Sequence, residues 1–175
     1  PVSHSNDFFK PLLDSGADGL IVQMVNNKSD VDKIVNCLKY PPIGQRTYGV
    51  NRAHGYGLNF EKYLKDWNDT SILIAQIESK EAIENIEEII SNKNVDGVMI
   101  GPYDLSGSYG YPGNVDHPLV LDACKKVIDS CFRHNKSCGT QISKVDKSSI
   151  NRLFECGYSY IILSSDLFIL KNWSL

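Results

Sequence analysis

The chain has the length and composition of one ordinary globular domain: 175 residues, of which 42% are hydrophobic and 22% are charged. Its net charge of −3 gives no electrostatic reason to expect a nucleic acid or an anionic membrane as a partner. No apolar run approaches the roughly 20 residues of a membrane span, and Pro1–His4 does not resemble a signal peptide, so we expect a single domain over residues 1–175 with small molecules or other subunits as partners.

The first part of the chain predicts a helix, a strand and a second helix. Ser5-Asn6-Asp7 can cap the first helix, and Gly16 can end it. Residues 19–25 form a nearly continuous apolar run, which is typical of a strand covered on both faces. Ser29 is expected to cap the next helix, whose apolar residues recur at helical spacing until Tyr40-Pro41-Pro42 ends it.

Residues 41–58 show no hydrophobic period and are rich in Gly, Pro and Tyr. A loop of this length is uncommon inside a compact domain and usually serves function or subunit contact. Arg46 and Arg52 are candidates either for binding substrate carboxylates or for ordering the loop. His54 is a candidate for the rim of a pocket. A short helix at about 60–67 follows.

Two apolar runs in the middle of the chain each lead to a carboxylate. Residues 72–77 precede Glu78, and residues 98–100 precede Gly101-Pro102-Tyr103-Asp104. An amphipathic helix capped by Ser79 separates them, so the pattern predicts a βαβ unit whose two acids lie at the same, carboxyl edge of a parallel sheet. One carboxylate after a strand is usually a helix cap, but two on neighbouring strands can hold a hard divalent cation together with water and substrate oxygens.

The C-terminal part continues the alternation of strands and helices. The expected elements are a Gly-rich loop at 107–114, a helix from Asp116-His117-Pro118 to about Arg133, a strand at 137–142, a helix from about Lys147 to Gly157 and a strand at 160–163. Five strands in strict alternation with helices predict a parallel α/β fold. An open sheet and a partial (β/α)8 barrel both fit, because a complete barrel takes about 250 residues.

The remaining chemistry-bearing residues favour ordinary structural roles. The five cysteines are odd in number and show no C-x-x-C spacing, which favours reduced, mostly buried thiols in a cytosolic protein over a metal cluster or a disulfide framework. The acidic residues of the central helix are interpreted as its solvated face. They are Glu81, Glu84, Glu87 and Glu88.

Six segments, at 16–22, 40–46, 52–57, 76–79, 95–106 and 157–160, together carry a family resemblance that spans nearly the whole chain in order and spacing. They resemble the HpcH/HpaI family of metal-dependent class II pyruvate aldolases, which includes macrophomate synthase and is related to the citrate lyase beta subunit. The resemblance implies a TIM-type (β/α)8 barrel of the phosphoenolpyruvate/pyruvate kind. It places the five strands here as the fourth to eighth, so the family's first strands lie outside this sequence.

The resemblance also implies a set of site residues. Glu78 and Asp104 match the family's ligands for a divalent metal ion, Mg²⁺, Mn²⁺ or Co²⁺. Gln76 and the backbone of Gly101, Pro102 and Tyr103 match its pyruvate site, with Tyr103 standing where a small residue is common. Gln141 stands where an apolar residue often helps to set aldehyde preference. The family's substrate-binding arginine and its Asp/His acid/base pair have no counterpart in this chain, so no catalytic residue is assigned.

The activity implied is cleavage or formation of 4-hydroxy-2-oxo acids through a pyruvate enolate, with a 2-oxo acid and an aldehyde as partners. This is a carbon–carbon lyase, expected to be cytoplasmic and homo-oligomeric, and this chain by itself is expected to have little or no activity. Two alternatives stay open. One is a citrate-lyase-like enzyme that acts on an acyl-CoA, and the other is a catalytically inactive partial barrel that serves as an interaction subunit.

Overall fold

The computed structural model describes residues 4–143 and 145–173, so the sequence-based statements about Pro1–Ser3 lie outside the described residues. Five strands and nine α-helices alternate within this part of the chain. The strands are β1 (Gly19–Val22), β2 (Ile72–Ile77), β3 (Gly97–Ile100), β4 (Ser137–Ile142) and β5 (Tyr160–Leu163). The helices are α1 (Asn6–Asp14), α2 (Lys28–Leu38), α3 (Phe60–Thr70), α4 (Lys80–Glu84), α5 (Ile86–Ile90), α6 (Pro102–Ser108), α7 (Pro118–Arg133), α8 (Lys147–Glu155) and α9 (Asp166–Trp173).

The five strands form one sheet in the order β1-β2-β3-β4-β5, and every neighbouring pair is parallel. Spatial order therefore equals chain order, without the reversal that defines a doubly wound sheet. The sheet is curled into a half-barrel. The predicted parallel α/β class is confirmed at this level.

Several local predictions differ from the structure. Ser29 does not cap α2, because the Asn27 side chain accepts the N–H of Asp30 and the helix begins at Lys28, two residues before the start that a Ser29 cap implies. The first strand ends at Val22 instead of continuing to residue 25. The helix after Ser79 is divided at Asn85, although the Ser79 cap is confirmed by its bond to the N–H of Ala82.

Helices also occupy places where the sequence suggested loops. A 3-10 helix, Arg52–Gly57, lies inside the long aperiodic segment. The α6 helix begins at Pro102 and continues to Ser108, so it covers the start of the predicted Gly-rich loop. The α9 helix had no sequence-based counterpart. Short helices escape periodicity arguments because they span too few turns to display a repeat.

Arg46 orders the long segment from inside. Its side chain is fully buried, with its guanidinium over the rings of Tyr40 and Trp67 and Nη2 2.9 Å from Asp14 Oδ1. A buried charge is tolerated when it is paired. Arg46 therefore orders the long segment and does not bind a substrate carboxylate. His54 is buried as well and packs edge-on against Phe60, so its predicted place at a pocket rim is wrong.

The inner face of the sheet is closed at β4 and β5 by one aromatic side chain. The Tyr160 ring lies flat over Gly139, and its hydroxyl donates to the Val98 carbonyl at 2.9 Å. Gly139 pairs with both Met99 and Tyr160 in register, so the ring spans from β5 to β3. The absence of a side chain at Gly139 is what admits it.

The expected character of the other residues agrees with the structure in most respects. All five cysteines are free: three are buried, Cys37 is intermediate and Cys156 is exposed. Over the described residues, none of the helices combines the length and apolar character needed to cross a membrane. The glutamates of α4 and α5 are exposed as predicted, while the five apolar residues opposite them are buried.

Gly139→Ala is expected to lower the free energy of unfolding by about 2 kcal/mol, within the range for overpacked cores. A Cβ at this position would lie 2.2 Å from two ring atoms of Tyr160. Urea unfolding measures the change. Gly49→Ala is the matched control, since its nearest neighbour lies 3.5 Å away at the end of a flexible lysine. Equal stability of the two variants would contradict the packing of Tyr160.

Glu87→Gln is expected to flatten the loss of stability between about pH 4.5 and pH 2. The pKa of Glu87 is lowered to about 2, first by the Ser130 hydroxyl at 2.6 Å and then by His134 and Arg133. A carboxyl whose pKa falls on folding stabilises the folded state above its unfolded pKa and loses that contribution as pH falls through the folded value. Urea unfolding at pH 5, 4 and 3 tests this. The same slope in variant and wild type would contradict it.

Candidate functional site

Three of the predicted site residues lie at one level on neighbouring strands. The register pairs Ile77 with Ile100 and Ile100 with Thr140, so Glu78, Gly101 and Gln141 each stand one position further toward the carboxyl edge. The ladder includes this level, because the Gly101 N–H donates to the Ile77 carbonyl at 3.0 Å. Glu78 and Gln141 are two strand spacings apart, about 10 Å. Gly101 leaves the interval between them free of a side chain.

Glu78 is the most constrained charged residue at this edge. Only 6% of it is exposed. Its Oε1 accepts the backbone N–H of Met24 at 2.8 Å, and its Oε2 accepts Nε2 of Gln76 at 2.5 Å. A buried carboxylate is tolerated when its oxygens accept hydrogen bonds. Each oxygen keeps a second lone-pair direction, so the group can take a further partner.

Gly101 allows this arrangement by lacking a side chain. A Cβ atom there would lie 3.0 Å from Oε2 of Glu78, 3.1 Å from its Cβ and 3.4 Å from Nε2 of Gln76. Glu78 thus leans across the end of β3, and three predicted site residues, Gln76, Glu78 and Gly101, are brought into contact.

Asp104 lies on the helix that begins directly after Gly101. It stands in the first turn of α6, where the helix dipole favours an acidic side chain, and it is exposed. Ser108 at the other end of α6 accepts the N–H of Lys80 at 2.8 Å. Because Lys80 begins α4, this bond ties the α6 helix to the segment that follows Glu78.

Tyr103 and Gln141 lie at the margins of this edge. Tyr103 is 69% exposed, and its hydroxyl lies close to Gly113 in the loop after α6. The Gln141 side chain donates from Nε2 to the Ser164 carbonyl at 3.1 Å. That bond fixes the amide against the end of β5 and leaves its carbonyl oxygen as an acceptor.

The donor set suits a hard divalent cation that also binds substrate. Among the described residues, no group of three or more His, Cys, Asp or Glu side chains could hold a metal ion. A site made by the described residues would therefore use at most two such side chains, for which Glu78 and Asp104 are the candidates, with the remaining positions filled by oxygens of substrate and water. Mg²⁺ is commonly bound in this way, by one or two carboxylates plus substrate oxygens and water.

Two histidines and a lysine near Glu78 lie in ordinary structural positions, whereas His4 lies at the edge that carries Glu78. His117 and His134 flank α7 as its caps, and Lys80 is largely exposed. His4 lies at the same edge as Glu78, since its Nε2 is 2.7 Å from the Gln23 carbonyl.

Sequence reasoning missed the groups that hold Glu78 from the β1 side. The Met24 backbone donates to the carboxylate, and the Asn26 side chain accepts the Ser79 hydroxyl at 2.5 Å. Asn85 also donates to the Asn26 carbonyl at 3.0 Å. A backbone N–H leaves no signal in the sequence, although the polar pair Asn26-Asn27 directly after an apolar strand marks the turn.

A parallel sheet in chain order with a buried carboxylate at its carboxyl edge defines an α/β protein of the partial-barrel kind. Residues 1–166 match the HpcH/HpaI aldolase/citrate lyase family, and the chain belongs to that family. It is 34% identical over 170 residues to a 2-keto-3-deoxy-L-rhamnonate aldolase of Salmonella paratyphi B, with 95% of this chain and 62% of that protein covered. The sequence-based family resemblance is thus confirmed.

Solved structures agree with this assignment. An HpcH/HpaI aldolase/citrate lyase family protein from Burkholderia cenocepacia J2315 superposes with a TM-score of 0.91 at 27% identity, covering 98% of this chain and 68% of that one. Macrophomate synthase gives 0.83 at 24% identity, covering 98% and 60%, and this likeness concerns the fold alone. The chain spans about three fifths of the length of the curated aldolase it matches.

Gly101→Ala is expected to displace the Glu78 carboxylate and lower the free energy of unfolding by about 1–3 kcal/mol, because the new methyl group meets a buried side chain held by two hydrogen bonds. A crystal structure of the variant and urea unfolding measure the two effects. Gly107→Ala, on α6 with nothing within 4 Å of the new Cβ, is the control and should be neutral or stabilising. An unmoved Glu78 in the variant would contradict the close approach.

Proposed function

We propose that this chain forms the fourth to eighth strands of a (β/α)8 barrel in a metal-dependent pyruvate aldolase, with Glu78 and Asp104 as the metal ligands. The observation that carries the proposal is the buried Glu78 carboxylate, which lies against Gly101 directly beside the helix that bears Asp104. Family membership and the similarity to curated aldolases support the same chemistry.

Each residue of the site has a role that follows from its place. Glu78 contributes a fixed negative charge, and the Gln76 amide holds one of its oxygens. Asp104 contributes a second carboxylate from the exposed first turn of α6. When bound, the divalent cation polarises the ketone of pyruvate and lowers the barrier to removal of a methyl proton. The backbone around Gly101, Pro102 and Tyr103 lines the place for pyruvate.

The substrate class follows from the name of the relative and the polarity of the edge. A 2-keto-3-deoxy sugar acid carries a 2-oxo group and a 4-hydroxyl, so its cleavage gives pyruvate and an aldehyde. The side-chain carbonyl oxygen of Gln141 is an acceptor at a position two strands away from Glu78, and it suits a hydroxylated aldehyde. Tyr103, on α6, narrows the access of substrate to the proposed site from that side.

The proposed enzyme is a homo-oligomer located in the cytoplasm. The free cysteines and the family fit this proposal. The acyl-CoA lyase and the inactive interaction subunit are not favoured, because the curated relatives are named as aldolases.

Mn²⁺ binding to this chain tests the metal site. We expect isothermal titration to give one Mn²⁺ per chain, and Glu78→Ala or Asp104→Ala to weaken binding at least 100-fold by removing one of two carboxylates. Glu84→Ala, on the exposed face of α4, is the matched control and should bind as the wild type does. Unchanged affinity in the two site variants would contradict the assignment of ligands.

Pyruvate methyl exchange tests the chemistry. The catalytically competent enzyme that carries this chain should exchange the methyl protons of pyruvate with deuterated water only when a divalent cation is present, as followed by proton NMR. Either ligand substitution should abolish the exchange. Exchange that persists after treatment with a chelator would contradict the proposal.

A further inference from the structure

The connection between β1 and α2 contains a backbone feature that the fold does not require. Met24 has φ of +54°, in the left-handed region that non-glycine residues rarely adopt. It stands two residues beyond the end of β1, at the carboxyl edge of the sheet. Unusual backbone conformations of this kind persist where the surrounding structure enforces them, and they concentrate at functional sites.

The hydrogen-bond register shows that Met24 is an inserted residue. The Ile72 N–H donates to the Asp18 carbonyl, and Val22 pairs with Ala75. In a parallel ladder, every second residue of a strand makes the hydrogen bonds to its neighbour. Continuing the pattern that begins at Asp18 would make the Gln76 carbonyl accept the N–H of Met24. The Val25 N–H takes that carbonyl instead, at 3.4 Å. One extra residue therefore lies between the end of β1 and the bond made by Val25, as in a β-bulge.

The insertion frees one backbone donor and aims it at the candidate site. Released from the ladder, the Met24 N–H donates to Oε1 of Glu78 at 2.8 Å. The other carboxylate oxygen is held by Gln76. The β1 side of the carboxylate thus depends on a single N–H whose direction is set by the left-handed turn.

The segment around Met24 is fastened to the chain that follows Glu78. Asn26 accepts the Ser79 hydroxyl at 2.5 Å through its side chain and the Asn85 side chain at 3.0 Å through its carbonyl. Val25, next to Met24, is fully buried. These contacts hold the segment around Met24 close to the Glu78 carboxylate.

We infer that Met24 is a positioning residue: its left-handed conformation takes its N–H out of the sheet ladder and uses it to fix the orientation of the Glu78 carboxylate for a divalent cation. The cation part of this inference rests on the proposed function, whereas the N–H contact does not. Met24 is 47% exposed, and the role belongs to its backbone.

Amide hydrogen exchange tests the contact in the metal-free chain. By NMR, the Met24 amide should exchange at least ten times faster in Glu78→Ala than in the wild type, and Glu78→Gln, which keeps a carbonyl acceptor, should preserve most of the protection. The Val25 amide, bonded to Gln76, is the internal control and should stay within about twofold. Equal exchange of Met24 in wild type and Glu78→Ala would overturn the inference, whether or not the chain binds metal.

Two substitutions at position 24 test the consequence for Mn²⁺. Met24→Asn discards the side chain but tolerates the left-handed conformation, so its affinity should stay within twofold of wild type. Met24→Val opposes that conformation through its branched Cβ, so its affinity should fall at least tenfold. Equal affinities of the two folded variants would overturn the positioning role. If Met24→Val does not fold, the exchange experiment decides. If wild-type chain binds no Mn²⁺, the proposed function fails, and amide exchange still decides the contact.

Discussion

The structure depends on keeping one carboxyl group, that of Glu78, inside the carboxyl edge of a parallel sheet. Removing a charge from water is costly unless hydrogen bonds replace its hydration. Here the Gln76 amide, from β2, and the Met24 N–H, from the segment after β1, donate to the carboxylate. Gly101, which follows β3, leaves space for it by lacking a side chain. The carboxyl ends of three of the five strands, β1, β2 and β3, therefore all contribute to the position of one side chain.

The need to hold Glu78 in place explains two features, at Met24 and at Gly101, that packing alone does not explain. An ordinary ladder would give the Gln76 carbonyl to Met24, yet the chain accepts an inserted, left-handed residue there. Gly101 has φ of −98°, a backbone conformation that any residue adopts, yet there is no space for a methyl group at this position. Such local conflicts with propensity are expected where a site is built at the expense of regular structure.

The sequence predicts the framework because strands and helices alternate with clear periods. It predicts Glu78 and Asp104 as site candidates because carboxylates after parallel strands meet at one edge, and the family resemblance adds Gln76. It does not reveal the Met24 donor, since every residue carries a backbone N–H and only the register shows which one is released. It also misplaces His54, because the aromatic surroundings that bury this residue are assembled by tertiary packing around Arg46. The Asn27 cap is missed because Ser29 fits the helix-start pattern equally well.

The most direct test of the account is the location of a bound cation. Anomalous diffraction from crystals of this chain grown with Mn²⁺ and pyruvate should show one Mn²⁺ peak about 2.1 Å from oxygens of both Glu78 and Asp104, the separation usual for small hard cations. The Met24 N–H should still donate to Glu78 in that structure. A peak bound elsewhere, or two carboxylates directed away from a common point, would contradict the account.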